Sequence, residues 1–152
     1  MKTTMIVVAD SSRARIFAWD PDDHSKLQEI EDIAHPEARL HERDMTSDLP
    51  GKRSGAAGAG GHAYDRKESA KKHLQHDFAK SVSSHLDGER KANKLSKLLL
   101  IVAPEFLGEL RSQFSNELSK MIVFELPKNL AAHDVTDIKK HIPKPAQYRK
   151  IS

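Results

Sequence analysis

Two hydrophobic rhythms run along this chain, separated by a long stretch that has neither. Residues 2–9 lead into an unbroken apolar run from Met5, the pattern of a strand buried on both faces. Asp10-Ser11-Ser12 is a turn signal. In residues 14–19, Arg15, Phe17 and Trp19 then alternate with Ala14, Ile16 and Ala18, which predicts a second strand and a hairpin with the first. A second turn follows at Asp20-Pro21-Asp22-Asp23. Residues 26–34 set Leu27, Ile30 and Ile33 among acids, which fits a third strand carrying a bulge or, less well, a helical turn.

The period-two rhythm then stops. Residues 36–64 hold few large apolar side chains and several breakers, among them Pro36, Pro50, Gly51, Gly55, Gly58, Gly60 and Gly61. A stretch this long without a pattern is expected to be a flexible loop, and it is either functional or disordered. From about residue 65 to 85 the spacing turns helical, with Ala70, Leu74, Phe78, Val82 and Leu86 on one face and Asp87-Gly88 as a stop. Residues 95–103 read as a central strand closed by Pro104, residues 105–120 as one helix, and residues 121–126 as another strand. A short helix capped by Asp134 or Thr136 runs through His141. The order β-β-β-loop-α-β-α-β-α predicts an α/β protein with a mixed sheet covered by helices. Residues 1–142 form one domain in this reading, and residues 143–152 a basic disordered tail.

Composition narrows the class. The chain has 152 residues, 38% hydrophobic and 31% charged, enough for one domain with a sizeable core. It contains no cysteine, which removes disulfides, thiol catalysis and cysteine-zinc sites. No apolar stretch approaches the length of a membrane span, so a cytoplasmic protein without membrane insertion is expected. The net charge of +3 hides an asymmetry. Residues 1–50 carry 6 basic and 11 acidic side chains, a net of −5, whereas residues 51–80 carry 7 and 3, a net of +4. Residues 139–152 add 5 basic side chains and no acid. Basic charge is thus gathered on the Gly-rich loop with its helix and on the tail, a distribution suited to a polyanion or to plain solubility.

Few residues point to catalysis. Asp10 closes a buried strand, where α/β sites often lie, but a turn-forming aspartate bonding nearby amides is the stronger expectation. No Gly-Lys-Ser/Thr closes the glycine run, and no strand directly precedes Gly58-Ala59-Gly60-Gly61, so neither phosphate-binding fingerprint is met. No small-molecule cofactor is expected. His73 and His76 lie one turn apart beside Asp77, a weak metal signal lacking further ligands. His62, directly after Gly60-Gly61, is the candidate acid-base group. Arg66 and Lys67 stand where a helix start favours anions, a conflict that an external anion would remove and that Asp65 as a cap softens. Lys52, Arg53, Arg66, Lys67, Lys71 and Lys72 are candidate phosphate contacts. Tyr64 alone among aromatics is beside them, so base-stacking recognition is not supported.

The blocks "VVADSSRARIF", "DLPGKRSG", "HAYDRKE…FAKSVSSHL", "LLLIVAPEFLGELR" and "FELPKNLAAHD" together resemble the bacterial host-attachment protein family, from about residue 4 to 141. That family in turn looks like the middle domain of archaeal and eukaryotic peptide-chain release factors. The resemblance implies a mixed five-stranded sheet with flanking helices, of ribonuclease-H-like type. It also implies that Gly60-Gly61-His62 stands where release factors carry the Gly-Gly-Gln that assists hydrolysis of the peptidyl-tRNA ester. The glutamine is replaced by His62, and the codon-reading and partner-binding domains are absent from this sequence. The expected function is RNA or ribosome binding through Lys52, Arg53, Gly60, Gly61, His62, Arg66, Lys67, Lys71 and Lys72. The expected partners are tRNA, ribosomal RNA or the ribosome. A protein-interaction module for attachment and a weak ester hydrolase using His62 are the alternatives.

Overall fold

The computed structural model describes residues 3–20, 22–23, 26–34 and 60–148, with 60–67 as helical backbone. Strands β1 (Thr3–Ala9), β2 (Arg13–Trp19) and β3 (Leu27–Ala34) form an antiparallel meander. Helix α1 (Gly60–Lys91) leads into β4 (Leu95–Val102), α2 (Pro104–Gln113), the short α3 (Asn116–Ser119) and β5 (Ile122–Pro127). Helix α4 (Val135–Lys139) and a 3-10 turn, Pro145–Gln147, complete the order. The five strands make one mixed sheet in the order β3-β2-β1-β4-β5, with β1, β4 and β5 parallel.

The predicted hairpin forms because one carboxylate organises its turn. Asp10 Oδ1 accepts from the amides of Ser12 and Arg13, each at 2.9 Å, and from the Ser12 hydroxyl at 3.1 Å. The bulge expected in the third strand is present: Ile16 faces Glu31 and Phe17 faces Glu29, so Ile30 is the unopposed residue. Its side chain remains 40% exposed.

Helix α1 exceeds its predicted limits at both ends. Glycine at position 88 does not stop it, because that position is open and Asp87 is engaged by the Arg90 side chain at 2.7 Å. Termination comes instead at Asn93, which takes the left-handed conformation at φ 64°. Its amide bonds to Arg90 O and the next amide, Lys94, to Glu89 O, the two bonds of a Schellman motif. The helix predicted over 105–120 is two helices. Phe114 turns extended, and Ser115 caps α3 by accepting from Leu118 N at 3.1 Å.

The sheet buries both faces. On one side Met5, Val7, Ile16, Leu98 and Leu100 pack against Phe78, Val82 and Leu86 of α1 and against Phe106 and Leu110 of α2. On the other, Ile6, Val8, Phe17, Trp19, Leu99 and Ile101 are covered by the chain after β5, through Leu130, Ile138, Ile142 and Tyr148. This second layer includes residues expected to be tail: Pro143 is buried and Tyr148 packs against the core, where burial raises its phenol pKa although a bond to Trp19 opposes the shift. Without residues 130–148 one entire face of β1 and β4 would be exposed.

Candidate nucleic-acid interface

Length places the basic helix. Its 32 residues span about 48 Å, whereas the eight of β4 span about 26 Å. Because α1 enters β4 at the strand's amino end, its first half extends toward the carboxyl ends of β1, β4 and β5, where open α/β sheets present their ligand sites. Burial follows this division. Phe78, Ala79, Val82 and Leu86 are buried, whereas Ala70 and Leu74 on the same stripe are only half-buried.

Helix α2 packs against the second half of α1. Phe106 stacks on Phe78 with ring centroids 5.8 Å apart. His76 Nδ1 lies 2.9 Å from Glu109 Oε1 and 3.2 Å from Gln113 Nε2, and the Ser83 hydroxyl donates to Gln113 O at 2.8 Å. His73 pairs instead with Asp77, at 3.4 Å. The two histidines therefore serve different partners, and among the described residues no group of three or more ligating side chains is arranged to hold a metal ion.

Of the predicted contacts, Lys71 and Lys72 lie exposed on this first half, and no ion pair involves either among the described residues. Glu68, also exposed, moderates the positive charge. The backbone of Gly60, Gly61, His62, Arg66 and Lys67 continues the same helix, so Gly60-Gly61-His62 occupies its first turn rather than the loop the sequence suggested. Lys52, Arg53 and residues 36–59 lie outside the described residues.

One constellation escaped the sequence reading. Arg15, on β2, is 7% exposed, yet it is charged and sits in a strand. Its guanidinium makes a two-point contact with Glu29, Nε to Oε2 at 3.1 Å and Nη2 to Oε1 at 3.0 Å. Nη1 donates to the carbonyls of Ala131 at 3.2 Å and His133 at 2.6 Å, and the group lies 5.3 Å from the Phe17 ring centroid. It ties the meander to the chain that covers the second face. An alternating strand pattern places Arg15 on the face of Phe17 and Trp19, but the carbonyls it meets are more than a hundred residues away and leave no local signal.

The neighbouring helix α4 and its flanks carry a second polar group. Asp137 bonds the His133 ring, which holds its carboxyl below the ordinary value. Its carbonyl accepts from His141 Nδ1 at 3.0 Å, which leaves His141 Nε2 to accept from the Lys128 ammonium at 3.2 Å. Among the described residues no serine, threonine or tyrosine hydroxyl is hydrogen-bonded to these histidines.

A family model described as "Protein required for attachment to host cells" matches residues 5–142. The protein named Uncharacterized protein RP470 of Rickettsia prowazekii (strain Madrid E) is 31% identical over 74 residues, 47% of this chain and 49% of that protein. The match thus spans about half the length of this curated relative.

Proposed function

We propose, from the premise that this chain belongs to the family of proteins required for attachment to host cells, that it is a binding domain rather than a catalyst and that its ligand is RNA, either tRNA or the ribosome. One observation carries the reading: residues 68–75 of α1 are less covered than residues 78–86, and Lys71 and Lys72 lie exposed there. Lys67 precedes Lys71 by one helical step of four, and Arg66 with Lys67 continues the basic run toward Gly60, Gly61 and His62. Lys52 and Arg53 add two more cations in sequence. Phosphates spaced along a backbone are the ligand such a stripe suits, since it offers charge without aromatic platforms for bases.

Ribosome pelleting and filter binding of tRNA test this directly. The Lys67→Ala/Lys71→Ala/Lys72→Ala protein is expected to lose most binding while its thermal unfolding stays unchanged. Undiminished binding rejects the reading. The family description itself favours a second reading, a protein-interaction module acting in attachment, in which the protein's partner is another protein.

A further inference from the structure

A cavity of about 740 Å³ lies away from α1, along the outer edge of β5. Phe124, Leu126, Ile142 and Pro143 give it apolar walls, and Lys140, His141 and Gln147 add polar ones. Three properties fit it to an extended peptide. First, β5 is an edge strand, and among the described residues no backbone hydrogen bond from outside the sheet reaches residues 123–125. Its outer amides and carbonyls are therefore a template for one more strand. Second, the chain after α4 stands opposite this edge as a wall, so the site is a groove rather than a flat rim. Third, the rim is cationic: Lys128 and Lys140 are exposed, neither makes an ion pair among the described residues, and Lys139 and Lys144 are close in sequence. The one acid of the lining, Glu125, is opposite Leu100 on the helix-covered side and is neutralised by Arg111 at 2.8 Å.

We infer that this groove binds an acidic, extended segment of a partner protein, which adds to the sheet as a sixth strand beside β5. An apolar side chain of the segment sits among Phe124, Leu126 and Ile142, and its carboxylates meet Lys128 and Lys140. Main-chain pairing supplies the register, and the lysine rim selects acidic over basic strands. This site is distinct from the exposed lysines of α1, so it stands whether or not RNA binds there.

The test uses the full chain and a fluorescent hexapeptide of alternating Glu and Val. It is compared with the Lys-Val counterpart and with the Glu-Val peptide N-methylated at alternate residues. The acidic peptide should bind, shift the amide resonances of residues 122–126, and bind about tenfold more weakly to Lys128→Glu/Lys140→Glu protein. N-methylation should abolish binding, whereas Lys71→Ala/Lys72→Ala should leave it unchanged. Equal binding by the N-methylated or basic peptide overturns the proposal, as does no binding by the acidic one. Displacement of the peptide by single-stranded RNA, or a dimer of the chain that the peptide disperses, would assign the groove to another occupant and also overturns it.

Discussion

At the scale of single residues, polar side chains with long reach hold this fold in register. Arg15 binds a carboxylate and two carbonyls at once, a geometry that the planar guanidinium supplies and an ammonium does not. Arg15→Met is expected to destabilise the protein by about 2–3 kcal/mol in urea unfolding, because it leaves two carbonyls and Glu29 without a donor. Arg15→Lys should recover only a minor part of that loss. Asp87 offers a pH-dependent counterpart. Hydrogen bonds from Arg90 and then Ser115 hold its carboxyl below 3.8 in the folded state. Its contribution to stability is therefore complete above that value and is lost as pH falls through the lower folded one. A carbon-detected titration should place its midpoint below that of an unfolded aspartate, and Asp87→Asn should flatten the acid limb of the stability profile. An unshifted midpoint contradicts the account.

At the scale of elements, α1 is one helix with two environments. Residues 78–86 pack between sheet and α2, whereas residues 68–75 meet few tertiary partners. Amide exchange should be slow over 78–90 and faster by about two orders of magnitude over 68–75, since local opening there breaks little packing. Uniform protection along the helix would mean that its first half is covered. The sequence made much of this layer legible. The strand-turn-strand start, the bulge in β3 and the stripe from Ala70 to Leu86 all follow from local periodicity and turn chemistry. The ends of α1 were less legible, because Asn93 in a left-handed conformation ends the helix where Asp87-Gly88 gave the stronger local signal. The break at Phe114-Ser115 was hidden for a similar reason: Phe106, Leu110, Phe114 and Leu118 keep a helical spacing through it. The docking of residues 143–148 was invisible locally, because Ile142 and Tyr148 find their partners on strands far away in sequence.

At the scale of the whole molecule, charge is separated as the sequence indicated. Acids gather on the meander and its turns, basic side chains on α1 and around the end of the chain. Membership in the host-attachment family is consistent with a domain whose work is binding, and no helix among the described residues is long and apolar enough to cross a membrane. The candidate site was legible in part. The lysines of α1 stood out as a basic cluster in the sequence, and the fold leaves Lys71 and Lys72 exposed. The groove beside β5 was not legible, since it exists only where the returning chain faces an edge strand. The most direct test of the central reading is the salt dependence of tRNA affinity. A plot of log K against log salt should be steeply negative for the parent protein. Its slope should shrink by about 2 when Lys67, Lys71 and Lys72 become Ala, since each phosphate neutralised by a lysine adds about 0.7–0.9 to it. A slope near zero, or one that the three substitutions leave unchanged, would contradict RNA binding by α1.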